Sequence, residues 1–197
     1  MLILASTSPY RRELLNRLGL PFECHAPGVD ESDMPGEAPL ALSQRLAREK
    51  AAAVLQRFPT ATVIGSDQVA VCKGRVLGKP GTPERALEQL QWQRESVTEF
   101  HTAFAVIQSG RSIEEVVTTR VRWRPAAELT DARLLRYIER ERPLDCAGAA
   151  KSEGLGIVLL EQVDSTDPTA LIGLPMIRVS QALSALGWEL LPRPVEA

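Results

Sequence analysis

The order of apolar runs and amphipathic segments is the feature that most constrains the fold of this chain. Leu2–Ala5 is a short, continuously apolar run that ends at the hydroxyl-rich "STSP". Pro9 then opens a segment whose leucines form one apolar face, and Gly19 closes that segment. A short apolar run bounded by turn residues is typical of a buried strand, and a serine followed by a proline is typical of a helix start. The chain therefore begins with a predicted strand, turn and helix.

Similar patterns along the rest of the chain predict a mixed α/β fold. Apolar and alternating runs predict further strands at 22–26, 61–72, 76–77, 97–107, 113–123 and 157–160, with "GSDQ" at 65–68 interrupting the run at 61–72. Helical spacing predicts helices at 40–58, 84–93, 130–140 and 175–187. Strands and helices alternate at both ends while strands adjoin in the middle, which favours a mixed twisted sheet with flanking helices. We expect residues 1–197 to form one domain, because this length suffices for a single core.

Composition excludes several classes of protein. Hydrophobic residues make up 44% of the 197 residues and charged residues 24%, which argues against disorder. The net charge of −2 provides no global field for binding nucleic acid. Three scattered cysteines favour neither a disulfide framework nor a cysteine zinc site. The first apolar run is too short for a signal peptide, and no segment reaches the roughly 20 apolar residues that span a bilayer. We expect a cytoplasmic protein that binds neither nucleic acid nor membranes.

The turn after the first predicted strand has the residues of an anion site. A helix N-terminus presents free N–H groups and the positive end of the helix dipole. Ser6 and Ser8 add hydroxyl donors, and Arg11 and Arg12 add guanidinium groups that suit phosphate oxygens. The alternative is that Ser8 only caps the helix and the arginines are solvated.

Asp67 lies inside an otherwise apolar strand pattern, where an unpaired carboxylate would be costly. It could act as a general base or a metal ligand, and the neighbouring Gln68 offers both an amide donor and an acceptor. A strand-end turn that exposes Asp67 to water is the alternative. Lys50 and Lys79 could neutralise a phosphate, although each could equally be a surface lysine.

Two predicted loops contain further candidate site residues. "VDES" carries Asp30 and Glu31, an acidic pair that could bind a divalent cation or simply be solvated. "KSEGLG" places Lys151 and Glu153 beside glycines, and the backbone freedom of glycine predicts a flexible loop that closes over a ligand. An ordinary surface loop is the alternative.

The chain resembles the Maf family of nucleotide pyrophosphatases over nearly its whole length. The motifs that carry the resemblance are, in order, "LASTSPYRRELL", "VDES", "RLAREKA", "VIGSDQV", "GKP", "PLDCAGAAKSEGLG" and "LIGLPM". The resemblance implies a fold similar to that of the inosine triphosphate pyrophosphatases, with two lobes around a nucleotide cleft. It also implies a divalent cation, Mg²⁺ or Mn²⁺, and a homodimer. The implied reaction hydrolyses a nucleoside triphosphate to the monophosphate and pyrophosphate, as a house-cleaning step against non-standard nucleotides.

Carried over by position, the resemblance assigns roles to individual residues. Asp67 matches the proton acceptor, and Glu31 and Asp67 match the metal-side acids. The phosphate-side residues match Ser8, Arg11, Arg12, Lys50 and Lys79.

Three positions determine the implied substrate subgroup. Tyr10, Gln68 and Glu153, with the motif "KSEG", resemble the subgroup that acts on 7-methyl-GTP, although that subgroup carries tryptophan where this chain has Tyr10. A 7-methylguanine ring is cationic and presents two adjacent N–H donors, so the Glu153 carboxylate suits it better than a glutamine would. The Tyr10 ring would add a cation–π or stacking contact.

Other functions compete with this one. A Maf-type pyrophosphatase for dTTP or UTP is one alternative, and a non-enzymatic nucleotide-binding regulator of cell division is another. An RNA-binding module has little support, because the chain is slightly acidic and lacks a basic, aromatic-rich surface signal.

Overall fold

The computed structural model describes residues 1–191 as a mixed sheet flanked by helices. The elements are β1 (Leu2–Leu4), α1 (Pro9–Asn16), β2 (Phe22–Cys24), α2 (Pro39–Arg57), β3 (Thr62–Cys72), β4 (Arg75–Leu77), α3 (Pro83–Gln93), β5 (Val97–Gln108), β6 (Arg111–Trp123), α4 (Asp131–Glu141), β7 (Leu160–Asp164) and α5 (Met176–Ala185). The strand order is β2-β1-β3-β5-β6-β7, and β4 pairs with β3. β1 runs parallel to both β2 and β3, whereas the other pairings are antiparallel. The predicted mixed α/β fold is thus confirmed.

The predicted opening of strand, turn and helix is confirmed. Leu2–Leu4 is fully buried between β2 and β3. Ser8 is the N-cap of α1 and its side chain accepts a hydrogen bond from the Arg11 backbone N–H, with Pro9 at the first helical position. The turn that joins β1 to α1 is therefore fixed at both of its ends.

Two of the predicted strand boundaries are wrong. "GSDQ" does not interrupt β3, because each of its residues pairs with β5, Asp67 opposite Ala103 among them. The apolar run at 157–160 is mainly a 3₁₀ helix, Leu155–Leu159, and the strand starts only at Leu160. A short apolar run does not distinguish a strand from a buried helical turn by periodicity alone.

Four hydrophobic clusters pack against the sheet, and two of them contain the residues at opposite ends of the long strands β3 and β5. The Phe104 cluster joins Leu4, Ile64 and Phe104 to helices α1 and α5. The Trp123 cluster joins Ala70, Phe100 and Trp123 to helices α3 and α4. Residues 66–68 of β3 belong to neither cluster and lie between them, so the sheet joins two lobes. Within residues 1–191, no helix has the length and apolar character needed to cross a membrane.

Candidate active site

A cleft of about 460 Å³ lies where the two lobes meet. Its volume is in the range of small-molecule sites. The lining comes from the turn and first residues of α1, the middle of β3, the segment after β4 and the segments around 145–153 and 172–173. Nine of the ten residues to which the resemblance assigns roles line the cleft, and Arg12 is the exception. The nine are Ser8, Tyr10, Arg11, Glu31, Lys50, Asp67, Gln68, Lys79 and Glu153. The further candidates Asp30 and Lys151 also lie outside the lining.

Gly65 determines how closely helix α2 approaches strand β3. A Cβ atom at this position would lie 2.2 Å from the Ala47 carbonyl oxygen and 2.6 Å from the Ala51 backbone nitrogen. Only glycine permits this contact, and Lys50 lies on the same stretch of α2. The close packing brings the Lys50 ammonium to 2.6 Å from Asp67 Oδ1.

Lys50 connects two carboxylates. Its Nζ lies 2.6 Å from Asp67 Oδ1 and 2.7 Å from Glu31 Oε1, while its side chain is only 5% exposed. Burial raises the pKa of Glu31, but the hydrogen bond and charge of Lys50 outweigh burial, and the net pKa is lowered. The predicted surface alternatives for Lys50 and Asp67 are wrong, because both side chains are buried and paired.

Arg11 is held against the sheet by the loop that precedes α5. Its Nε donates to the Gly173 carbonyl at 2.8 Å. Ser66 Oγ, whose shorter hydrogen bond goes to the Ala103 carbonyl at 2.8 Å, lies 3.1 Å from the same Gly173 oxygen. Gly173 has φ +125°, a conformation that favours glycine. Burial lowers the pKa of the Arg11 guanidinium, and the Asp67 and Glu31 carboxylates partly offset that effect. The anchored Arg11 side chain lines the cleft.

The remaining predicted phosphate-side residues have different positions. Ser8 lines the cleft while it caps α1, so capping and a place in the cleft are compatible. Lys79 is exposed at the cleft edge, close enough for its charge to act on Glu31. Arg12 is exposed on α1 and does not line the cleft; its charge acts on Cys24 instead.

The orientation of the Gln68 amide is fixed by its partners. Its Nε2 lies 2.9 Å from Thr102 Oγ1, 3.0 Å from the Ala170 carbonyl and 3.1 Å from the Leu171 carbonyl. Thr102 Oγ1 donates its own proton to the Ala170 carbonyl, so it accepts from Gln68. Because these acceptors hold the amide nitrogen, the carbonyl oxygen is the group of Gln68 that remains for a ligand.

Tyr10 lines the cleft beside Asp145 and Cys146. Its hydroxyl donates to Asp145 Oδ1 at 3.2 Å and lies 3.8 Å from Cys146 Sγ. Lys151 Nζ is 5.9 Å from the centre of the Tyr10 ring. Burial, reinforced by the neighbouring thiol and carboxylate, raises the pKa of the Tyr10 hydroxyl, which therefore stays protonated.

Glu153 lines the cleft without an ion-pair partner among residues 1–191. Lys151, two residues away, pairs with Glu141 at 2.6 Å instead. Burial raises the pKa of Glu153, and the Lys151 charge offsets only part of that effect.

The glycines of "KSEGLG" are closely packed in this structure, and closure of the loop over a ligand stays a prediction. A Cβ on Gly154 would lie 2.7 Å from the Glu141 carboxylate, and one on Gly156 would lie 2.4 Å from the Lys151 carbonyl. Glu141 also accepts a hydrogen bond from the Leu155 N–H at 2.7 Å.

Asp167 is a residue that sequence reasoning missed. It is fully buried and its carboxylate accepts hydrogen bonds from the Thr169, Ile177 and Arg178 backbone N–H groups. It thereby joins the N-terminus of α5 to the loop that holds Gln68 and Arg11. The only available signal was the dipeptide Asp167-Pro168, which is also typical of ordinary turns.

Metal-ligating side chains are sparse in the described chain. No group of three or more histidine, cysteine or acidic side chains there could hold a metal ion. Glu31 and Asp67 are the acids that face one another, across Lys50. Mg²⁺ in nucleotide enzymes is often bound through one or two carboxylates and the substrate phosphates, so this pair fits such a cation.

Comparison with known proteins identifies the family of this chain. The family described as Maf-like protein matches residues 1–186. A protein of Polaromonas sp. named 7-methyl-GTP pyrophosphatase is 54% identical over 188 residues, which cover 94% of this chain and 84% of the relative. Proteins of the same name from Aromatoleum aromaticum and Burkholderia thailandensis are 54% and 52% identical, over 94% and 100% of this chain and 95% and 92% of theirs. The chain belongs to the Maf family.

Proposed function

We propose that this protein is a nucleoside triphosphate pyrophosphatase that hydrolyses 7-methyl-GTP to 7-methyl-GMP and pyrophosphate. The observation that carries the proposal is the position of Asp67 in the cleft. Lys50 pairs with Asp67, the Asp67 charge acts on Arg11, and the hydroxyl-rich turn, Tyr10 and Glu153 line the same cleft. Relatives named 7-methyl-GTP pyrophosphatase support the same activity.

The cationic side of the cleft binds the triphosphate. The Arg11 guanidinium, the Lys79 ammonium, the Ser8 hydroxyl and the N–H groups at the start of α1 are the donors that phosphate oxygens require. The bond between Arg11 and the Gly173 carbonyl orients the guanidinium before the nucleotide binds. Preorganised cationic donors of this kind stabilise the charge that develops in phosphoryl transfer.

Asp67 accepts the proton of the attacking water. Lys50 binds Oδ1, while Oδ2 has no hydrogen bond to any residue in 1–191 and is free to face a water molecule. The water oxygen forms a bond to the α-phosphorus as the bond from that phosphorus to the bridging oxygen of pyrophosphate breaks. The water proton passes to Oδ2, and pyrophosphate leaves with the electron pair of the broken bond.

Glu31 and Asp67 would hold the divalent cation, Mg²⁺ or Mn²⁺. A bound cation would polarise the phosphoryl oxygens and neutralise charge on the leaving group. Lys50 now occupies the space between the two carboxylates, so it would share them with the cation or shift toward the phosphates.

Tyr10 and Glu153 recognise the base of the nucleotide. The Glu153 carboxylate accepts the adjacent N–H donors of 7-methylguanine, and the Tyr10 ring packs against the cationic base. Gln68 contributes its carbonyl oxygen. Arg12 stays a proposed phosphate-side residue only if the nucleotide extends past the cleft edge, since Arg12 lies outside the lining.

A substrate panel tests the proposal. Pyrophosphate release is measured for 7-methyl-GTP, GTP, UTP and dTTP with Mg²⁺, with Mn²⁺ and with neither. We expect the highest kcat/KM for 7-methyl-GTP and no turnover without the cation. A preference for UTP or dTTP would overturn the assigned subgroup, and nucleotide binding with no pyrophosphate release would favour a regulator.

Isotope incorporation tests the point of attack. In oxygen-18 water, attack at the α-phosphorus places the label in 7-methyl-GMP and leaves pyrophosphate unlabelled. Label in pyrophosphate would contradict the mechanism, because it would require attack at the β-phosphorus.

Cytoplasmic location and a homodimer complete the proposal. The three cysteines are free, which suits a reducing compartment. Light scattering of the purified protein tests the dimer, and a monomer mass across the working concentration range would contradict it.

A further inference from the structure

The charged residues that line the cleft form two groups. Arg11, Glu31, Lys50, Asp67 and Lys79 form one group, since Lys50 pairs with both acids and the charges of Arg11 and Lys79 act on Glu31. Three cations and two carboxylates give this end a formal charge of +1. It is the end that the proposed function assigns to phosphate.

Asp145 and Glu153 form the second group, which we call the Tyr10 end, because Asp145 accepts the Tyr10 hydrogen bond and the charges of both acids act on the adjoining Cys146. Neither carboxylate has a cation within ion-pair distance among residues 1–191. Lys151 is the nearby cation, but it is paired with Glu141 at 2.6 Å. Burial, with the charges of Asp145 and Glu153 adding to it, raises the pKa of the Cys146 thiol to about 12, so that no thiolate adds to this end. The Tyr10 end therefore has a formal charge of −2.

We propose that Asp145 is a second specificity-determining residue, and that the Tyr10 end of the cleft selects nucleotides by the positive charge of the base. The corresponding substrate class is nucleoside triphosphates with a cationic, N-alkylated base, of which 7-methyl-GTP is one. This inference rests on the proposed function and adds to it that charge, rather than the bulk of the methyl group, is the property selected.

Asp145 and Glu153 have distinct roles in this selection. Asp145 already accepts the hydrogen bond of the Tyr10 hydroxyl at 3.2 Å, so it holds the aromatic ring in place. Its remaining contribution to the ligand is its negative charge. Glu153 makes no such bond to another side chain within residues 1–191, and its carboxylate stays available for the donors of the base.

A neutral isostere separates charge from shape. In 7-methyl-7-deaza-GTP a carbon replaces N7, so the methyl group and the N–H donors remain while the positive charge is lost. Because two carboxylates lose their attraction to the base, we expect kcat/KM at least about tenfold lower than for 7-methyl-GTP. Equal turnover of the two nucleotides would overturn the inference.

Variants of Asp145 and Tyr10 separate the effect of the Asp145 charge on the base from the effect of the hydrogen bond by which Asp145 positions Tyr10. For Asp145→Asn, the ratio of kcat/KM for 7-methyl-GTP to that for GTP should fall about fivefold, mainly through KM. Tyr10→Phe removes the hydroxyl bond to Asp145 but keeps the ring and the carboxylate, so it isolates the positioning effect, and its ratio should fall by clearly less than that of Asp145→Asn. An equal loss for both nucleotides in Asp145→Asn, or the same fall in both variants, would overturn a direct role for the Asp145 charge.

Binding without turnover distinguishes this inference from the proposed function. Dissociation constants for 7-methyl-GMP and 7-methyl-7-deaza-GMP are measured by calorimetry with divalent cations removed. Tighter binding of the cationic nucleotide supports charge selection even if no triphosphate is hydrolysed, an outcome that would contradict only the proposed function. Equal affinities alongside active hydrolysis of 7-methyl-GTP would contradict only the charge selection.

Discussion

Lys50 occupies the centre of the cationic end of the cleft. Its ammonium contacts both Asp67 and Glu31, and almost none of its side chain is exposed. A buried ammonium is costly unless its charge is compensated, and two carboxylates compensate it here. Each of the three residues therefore depends on the others for its position.

Replacing Asp67 by asparagine tests the proposed proton acceptor. We expect kcat to fall by about 10²–10⁴, because the amide cannot accept the water proton, while Glu31 still compensates Lys50 and the fold persists. Steady-state kinetics with 7-methyl-GTP measure kcat, and circular dichroism checks that the variant is folded. Asp33→Asn is the matched control, since Asp33 is an exposed acid outside the cleft lining. Full turnover in a folded Asp67→Asn protein would remove Asp67 from the mechanism.

Glu153→Gln tests whether the Glu153 carboxylate recognises the base. We expect kcat/KM for 7-methyl-GTP to fall about tenfold more than for GTP, because a carboxylate that both compensates the cationic ring and accepts its donors is lost. Glu139→Gln, at an exposed position on α4, serves as the control. If the two nucleotides lost activity equally, Glu153 would have a structural role instead.

The same variant should be more stable than the native protein at neutral pH. Burial raises the pKa of Glu153 above its ordinary 4.5, so the folded state disfavours the ionised carboxylate, and glutamine removes that cost. The gain in Tm should vanish as the pH falls below 4.5, where the native glutamate is protonated in both states. Glu141→Gln should show the opposite sign at neutral pH, because the Lys151 hydrogen bond lowers the pKa of Glu141. The Tm of each variant, measured by thermal unfolding from neutral to acid pH, shows whether the variant is more or less stable than the native protein.

At the scale of elements, the contact between α2 and β3 assembles the site. Ala47 and Ala51 face Gly65 so closely that no side chain fits between the helix and the strand. The distance between Lys50 and Asp67 follows from this packing.

Gly65→Ala should disturb both stability and catalysis. The added Cβ meets backbone atoms of α2 at 2.2 and 2.6 Å, so the helix must shift, and we expect a loss of at least about 2 kcal/mol. Urea unfolding measures the loss, and kcat should fall as Lys50 moves away from Asp67. Gly78→Ala is the control, since nothing lies within 4 Å of its Cβ and its stability should change by less than about 0.5 kcal/mol. A stable, fully active Gly65→Ala protein would show that α2 tolerates the shift.

Local sequence patterns predicted most elements because the deciding interactions are local. The hairpin of β5 and β6 is an example: Ser109 and Gly110 both adopt positive φ, as a two-residue hairpin turn requires. The missed features depend on distant contacts. In the sequence, Gly65 and Gly156 both indicate loops. In the structure, Gly65 permits close packing within a continuous strand, and Gly156 packs against the Lys151 carbonyl in a 3₁₀ helix.

The site was partly predictable for the same reason. The residue types of Asp67, Lys50 and Arg11 suggested phosphate chemistry, but their proximity depends on the α2 packing and on the Gly173 carbonyl. Asp167 could not be found from sequence, because its partners at the start of α5 are ten and eleven residues away.

For the whole molecule, the sheet is the frame that both lobes share. β3 and β5 pass from the Phe104 cluster to the Trp123 cluster without interruption, and the cleft lies between the clusters. The long β5–β6 hairpin extends the frame to β7. One domain over residues 1–197 stays a prediction.

Continuity of β3 and β5 makes the two lobes a single cooperative unit. Unfolding of either cluster would break the ladder of hydrogen bonds between β3 and β5, on which the other cluster also depends. The two clusters therefore unfold together. Trp123 is buried in one cluster and Trp188 packs on the other. Variants in which Trp92 and one of these two are replaced by phenylalanine keep a single tryptophan and report on each lobe separately. We expect their denaturation curves to coincide, and a separation of the two midpoints would mean that the lobes melt independently.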